Sequence, residues 1–225
     1  MNNLLEFQQF LEEKLITFGG KAYPKFGNVV VLAGGAGSGK GFVIDNLLGI
    51  EGNIQNVDDM KKQFRESDKI RKAIFKETGV DLGKLNYADP KQLNIAHQTI
   101  KASKFKKSLE NLKVQAFSDA PVNRKPNIIF DVTLKNLGKV KELSDKIQAM
   151  GYKKQNIHIV WVINNVSVAI KQNIERSKKP GGRQVGQEML ITTHDGASRT
   201  VREIMDMNGA LRTTYDGDVW FAFNE

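Results

Sequence analysis

Asn28-Val29-Val30-Val31-Leu32-Ala33-Gly34-Gly35-Ala36-Gly37-Ser38-Gly39-Lys40-Gly41-Phe42 is the stretch on which the reading of the whole chain turns. Its first part, Asn28–Ala33, is an apolar, β-branched run suited to a strand buried on both faces. Phe42–Leu48 beyond it reads as a helix. Between the two stands G-x-x-x-x-G-K, and in a strand–loop–helix context that pattern predicts a phosphate-binding loop. Glycines let the backbone wrap closely around phosphate oxygens with several N–H groups turned inward. The helix start adds a favourable partial charge, and Lys40 is placed to neutralise the β- and γ-phosphates. The expected nucleotide contacts are therefore Gly34, Gly35, Ala36, Gly37, Ser38, Gly39, Lys40, Gly41 and Phe42. The plain alternative, a glycine-rich turn with no ligand, fits a lone G-x-G-x-x-G better than it fits this pattern.

The loop departs from the usual Walker A form at one position. Ser or Thr normally follows the lysine and gives a hydroxyl to Mg²⁺. Here Gly41 stands in that place and Phe42 follows. Adenylate-kinase-like enzymes also carry Lys-Gly, with a hydroxyl at the next position that Phe42 does not supply. A metal ion is then expected to be held through water and an acidic partner, with the Ser38 hydroxyl a weaker source.

Outward from the loop, strands and helices alternate. Leu4, Phe7, Leu11, Leu15 and Phe18 recur at helical spacing and predict an amphipathic helix closed by Gly19-Gly20. Asn53–Val57 reads as a second strand, and Asp59 to about Lys76 as a charged helix. Residues 79–126 are polar and basic and read as a helical insertion, with helices marked by Leu93, Ala96, Ile100, Leu109 and Leu112. Asn127–Val132 is a third strand; Leu137, Val140, Leu143, Ile147 and Met150 mark a helix closed by Gly151. Ile157–Ile163 is a fourth strand and Val166–Ser177 a helix, followed by a Gly-, Lys- and Arg-rich lid-like loop, Lys178–Gly186. Ser198–Met207 reads as a helix and Asp218–Phe223 as a last strand. The order predicts an α/β protein of the P-loop NTPase type: one domain, residues 1–225, with about five mostly parallel strands flanked by helices. In such sheets ligands bind at the carboxyl ends of the strands, which places the loops after Ala33, Val57, Val132 and Ile163 on one edge.

Four groups on that edge are candidates for chemistry. Asp131 ends the apolar run Asn127-Ile128-Ile129-Phe130 in the Walker B manner and is the expected metal partner, against the alternative of a simple turn cap. Val132 follows it where motor ATPases and helicases commonly place a water-activating Glu, which favours transfer to an acceptor over hydrolysis. Asp58 is the candidate acceptor base; Asp59 begins a helix, where a carboxylate also serves as a cap. Arg176 and Arg183 bracket the lid-like loop and are candidate clamps on phosphate charge. His97, His158 and His194 have no metal-ligand spacing. His158 sits inside a strand and reads as structural, and His194 as a turn or packing residue that has the option of facing the site.

Composition bounds these readings. The chain has 225 residues, 40% hydrophobic and 26% charged, an ordinary globular mix. It has no cysteine, which excludes disulfides and thiolate metal sites and suits a cytoplasmic location. Its apolar runs are too short to span a bilayer, and its first residues do not resemble a signal peptide. Between Lys61 and Lys125 there are 16 Lys or Arg against 7 Asp or Glu, which accounts for the whole net charge of +9. That segment is either a solvated helical face or a surface that concentrates an anionic partner such as nucleic acid. A second function class follows: a nucleic-acid-binding P-loop protein or ATPase that uses nucleotide as a switch.

The motif order resembles the zeta-toxin and polynucleotide-kinase group of P-loop kinases. The matching stretches are Gly34–Gly41, Asn56-Val57-Asp58-Asp59-Met60-Lys61, Ile128-Ile129-Phe130-Asp131-Val132-Thr133-Leu134-Lys135 and Gly182-Arg183-Gln184-Val185. The resemblance implies ATP or another nucleoside triphosphate with Mg²⁺ as donor. It implies Asp58 as acceptor base, with Asp59, Thr133 and Lys135 on the acceptor side and Arg183 on the ATP phosphates. Members of this group phosphorylate an activated amino sugar, nucleic-acid ends or small metabolites. The chain departs from the group at Gly41 and in its basic insertion.

Overall fold

The computed structural model describes residues 15–18, 21–48, 53–56, 64–121, 124–179, 184–206 and 216–224. Its strands are β1 (Leu15–Phe18), β2 (Lys21–Pro24), β3 (Val29–Ala33), β4 (Asn53–Asn56), β5 (Ile128–Asp131), β6 (Ile157–Asn164) and β7 (Val219–Asn224). Its longer helices are α1 (Lys40–Asn46), α2 (Asp68–Thr78), α3 (Pro90–Ala102), α4 (Lys104–Ser118), α5 (Leu137–Ala149), α6 (Val166–Lys178) and α7 (Gln187–Asp206).

Five strands form one sheet in the order β4-β5-β3-β6-β7, and every neighbouring pair is parallel. β3 is the middle strand, and all five of its residues are buried. Alternate residues serve opposite faces. Val29, Val31 and Ala33 pack with Val140 and Ile147 of α5 and Val201 of α7. Val30 and Leu32 pack with Val43 of α1 and Leu48. Burying such a side chain contributes about 1.5–3 kcal/mol, so the apolar run that reads as a doubly covered strand is also the centre of both cores. The chain leaves β3 for one side of the sheet (β4, β5) and then crosses to the other (β6, β7). The loop after β3 thus sits where the strand order reverses, the place at which open α/β sheets bind ligands.

Between β4 and β5, helices α2, α3 and α4 enclose a separate cluster of Phe64, Ile74, Leu82, Tyr87, Leu93, Ala96 and Ile100. The insertion therefore carries a core of its own beneath its basic surface. Leu109 packs against this cluster, whereas Leu112, read as part of the same stripe, is 63% exposed. The start of α3 follows from local chemistry: Asp89 caps Lys91 N–H, and Pro90 occupies the first turn, where its missing donor costs nothing.

Two expectations are corrected. Leu15 and Phe18 do not end a helix; Leu15–Phe18 pairs antiparallel with Lys21–Pro24. Gly19-Gly20 between two short β-prone runs was a hairpin signal as much as a helix stop. Leu4, Phe7 and Leu11 lie outside the described residues. The second correction concerns α7, which begins at Gln187 rather than Ser198. Leu190, Thr193, Ala197 and Val201 recur on its buried face, and that packing carries Thr192-Thr193-His194-Asp195-Gly196 as helix despite modest propensity. The lid-like stretch is shorter at its start, since α6 runs through Lys178. At its other end Val185 is held by Asn173, whose amide bonds both the Val185 N–H and carbonyl at 2.9 and 2.7 Å. No helix among the described residues is long and apolar enough to cross a membrane.

Candidate active site

The loop Gly34–Gly39 runs from the end of β3 into α1. Gly39, at φ +93°, and Gly37, at φ +74°, occupy the left-handed region that favours glycine. The two cannot be exchanged for alanine without a further clash: a Cβ on Gly37 would meet Ala169 O at 2.8 Å, and one on Gly39 would run into the Asn224 amide. Gly39→Ala is expected to cost about 1–3 kcal/mol through strain alone, with further loss from displacing Asn224. Chemical denaturation of the variant reads this directly; a midpoint equal to that of the unsubstituted protein would contradict it.

Side chains from three elements far along the chain brace the loop. Asn164, at the end of β6, donates to Gly37 O at 3.2 Å. Asn224, at the end of β7, donates to Ser38 O at 3.0 Å. From α7, Thr193 Oγ1 accepts the Ala36 N–H at 3.1 Å and His194 Nε2 bonds Ala36 O at 2.8 Å. Because Ala36 O only accepts, the His194 proton resides on Nε2. The next residue after Asn164, Asn165, caps α6 through Ser167 N–H, so adjacent amides finish the strand, brace the loop and start the helix.

Lys40 and Asp131 converge at the loop. The Lys40 ammonium donates to Gly34 O at 3.0 Å and Gly35 O at 3.1 Å, and lies 3.9 Å from Asp131 Oδ1. Register explains the meeting: β5 lies parallel to β3 with Asp131 opposite Leu32, two residues before the loop begins. Ser38 is fully buried and its hydroxyl has no partner. It faces Gly34, where an added Cβ would lie 2.7 Å from it, so it is sealed beneath the loop. Phe42 points away on the first turn of α1 and is 59% exposed. Thr133 is half-buried and Lys135 exposed in the loop after β5, where Leu134 has φ +51°, a conformation costly for a leucine. Arg176 lies in the last turn of α6. Asp58, Asp59 and Arg183 lie outside the described residues.

His194 is the site residue that the sequence left most open. It sits on a helix, half-buried, with its ring over Gly35, where a Cβ would overlap it. Burial pushes its pKa down, the bond to Ala36 O opposes this, and the charge of Lys40 adds to the lowering. The imidazole is therefore neutral at pH 7. Unfolded histidine binds a proton near pH 6.5, so below that pH the unfolded state takes up the proton first and folding stability falls with acidification. Thermal midpoints between pH 7.5 and 5 are expected to drop less steeply in His194→Gln than in the unsubstituted protein; parallel curves would refute this. Asn164, Asn224 and Thr193 carried no motif signal, although the first two stand at carboxyl ends of strands. By contrast His158 has a structural setting: Nδ1 accepts Asp218 N–H at 3.1 Å and the ring packs edge-on to Tyr23, at the opposite end of the sheet.

A β3–loop–α1 unit central to a parallel sheet, with an acidic strand end beside the loop lysine, defines the P-loop kinase-like class. Within that class the chain belongs to the zeta toxin family, whose model matches residues 86–215. Over 97% of its length the chain is similar to 75% of a chain from the PezAT chromosomal toxin–antitoxin system of Streptococcus pneumoniae, at 11% identity and TM-score 0.54. TT1252 from Thermus thermophilus aligns over 89% of this chain and 90% of its own, at 15% identity and TM-score 0.43. Deoxyadenosine kinase from M. mycoides with bound dATP aligns over 88% and 90%, at 14% identity and TM-score 0.34. No curated protein sequence matches.

Proposed function

We propose that the protein is a phosphotransferase that takes ATP, or another nucleoside triphosphate, in the Gly34–Lys40 loop and passes the γ-phosphoryl group to a nucleotide, nucleotide sugar, nucleic-acid end or similar small acceptor. The observation that carries this reading is the convergence, 3.9 Å apart, of Lys40 at the start of α1 and Asp131 at the end of β5, beside the braced loop. In the transfer, an acceptor oxygen attacks the γ-phosphorus, the bond to the β-phosphate oxygen breaks, and the acceptor proton passes to Asp58. Lys40 neutralises phosphate charge, and Arg176 and Arg183 add to it as the bond breaks. Asp59, Thr133 and Lys135 stand on the acceptor side. The lid role falls to the stretch entered at Lys178 and left at Gly186.

The donor set suits Mg²⁺ only in part. Gly41 offers no hydroxyl, the Ser38 hydroxyl is sealed away, and among the described residues no three acidic or histidine side chains meet. A divalent ion is therefore assigned to Asp131, phosphate oxygens and water, a common arrangement for Mg²⁺ with nucleotides. It would supply charge neutralisation between the β- and γ-phosphates.

The test is a transfer screen with labelled ATP and Mg²⁺ against nucleotides, nucleosides, UDP-sugars and 5′-hydroxyl oligonucleotides. Label on one acceptor class supports the reading. Fast hydrolysis with no labelled acceptor favours an ATPase. Salt-dependent oligonucleotide binding without transfer favours the switch reading, with the basic segment 61–125 as the contact. A protein inhibitor is a further partner to seek, given the toxin–antitoxin origin of the similar PezAT chain.

A further inference from the structure

Helix α7 reaches two loops at once, and the contacts it makes are specific. Thr193 and His194 take the backbone N–H and carbonyl of one residue, Ala36, and so bond the two successive peptide groups on either side of its Cα. Thr193 is itself fixed: its hydroxyl donates to Leu190 O at 2.8 Å one turn earlier, which aims an oxygen lone pair at the Ala36 N–H. The His194 ring lies where a Gly35 side chain would be, so helix and loop interlock. Three residues on from Thr193, Gly196 lets α7 press on the backbone after β5; a Cβ there would lie 2.8 Å from Lys135 O. The helix thus bears on the phosphate loop and on the Thr133–Lys135 loop through one rigid element.

We infer that Thr193 and His194 are positioning residues that hold the two peptides flanking Ala36 and so set the Gly34–Lys40 loop in its nucleotide-receiving form before the nucleotide arrives. The inference rests on the reading of that loop as a triphosphate site. A flexible loop must be ordered at the expense of affinity, and a braced one is not. Both residues bond the loop backbone, and each acts through it. Hydrogen bonds to two successive peptide units also restrain the backbone turn at Ala36 between them, which a single bond does not.

Two measurements decide it. The first uses the nucleotide-free, unsubstituted protein: amide exchange at Ala36 followed by NMR. The inference expects this N–H to be protected, because Thr193 Oγ1 accepts it; free exchange overturns the inference whatever the variants do. The second is calorimetry with Mg²⁺ and a non-hydrolysable ATP analogue, for the unsubstituted protein, Thr193→Val, Thr193→Ser and His194→Phe. Losing one such bond is expected to weaken binding about 2- to 12-fold, in Thr193→Val and in His194→Phe, with Thr193→Ser restoring the original affinity. Rescue by serine separates positioning from general loss of packing, since serine lacks the methyl group that valine keeps. Tight binding in the unsubstituted protein with no change in Thr193→Val overturns the positioning role and leaves the triphosphate reading intact. No binding in the unsubstituted protein, with Ala36 protected, overturns the triphosphate reading and this inference with it.

Discussion

Lys40→Ala is expected to weaken triphosphate binding about 10- to 150-fold, the loss that follows from removing a charged hydrogen bond to phosphate. The structure adds a reason to expect the upper part of that range. The ammonium is already desolvated among Gly34 O, Gly35 O and Asp131, so the protein has met much of the cost of holding a cation there before the ligand binds. Removing it leaves the Asp131 carboxylate facing the phosphates without a counter-charge. Fold stability should fall as well, because Gly34 and Gly35 are buried and their carbonyls lose the donor. Calorimetry with ATP and Mg²⁺ reads the first quantity and thermal melting the second. Equal affinity in both proteins would remove the phosphate-loop reading altogether.

The larger effect belongs to Asp58→Asn. If Asp58 receives the acceptor proton, its removal should lower the rate of transfer by about 10²- to 10⁴-fold, the usual contribution of a positioned base. Nucleotide affinity should stay within a factor of a few, since the amide is nearly isosteric and the residue belongs to the acceptor side. The contrast between the two variants is the diagnostic: Lys40→Ala loses binding, Asp58→Asn loses turnover. A variant that binds ATP weakly and transfers at the original rate would place Asp58 with the donor instead.

Much of the fold was legible because parallel strands buried on both faces leave continuous apolar runs. Asn28–Ala33, Asn127–Val132 and Ile157–Ile163 each read as strands for that reason, and strands run over Val29–Ala33, Ile128–Asp131 and Ile157–Asn164. The phosphate loop was legible because its glycines answer a backbone requirement, visible at Gly37 and Gly39 as positive φ. What could not be read are features that depend on distant contacts. The amide of Asn224 meets Ser38 O across 186 positions, and Asn164 meets Gly37 O across 127. No local pattern encodes such a pairing. The length of α7 was hidden for a related reason: Thr192-Thr193-His194-Asp195-Gly196 has the composition of a turn, and the burial of Leu190, Thr193 and Ala197 against the body of the protein overrides it. Gly19-Gly20 failed differently. The pair is compatible with either a helix stop or a hairpin, and spacing alone favoured the wrong one.

The bracing of the loop also sets an order of events during synthesis. Asn224 leaves the ribosome 186 residues after its partner Ser38. At usual elongation rates of 5–20 residues per second, that interval is about 10–40 s. Within it the braces of the glycine-rich segment are made in turn: Asn164 follows Gly37 by 127 residues and His194 follows Ala36 by 158. Long-range parallel pairing such as Val29 with Ile157 is likewise deferred until β6 is made. A loop braced this way stays unfinished until β7 has been made and joins the sheet beside β6, so its final geometry is a late product of folding rather than a property of the local segment.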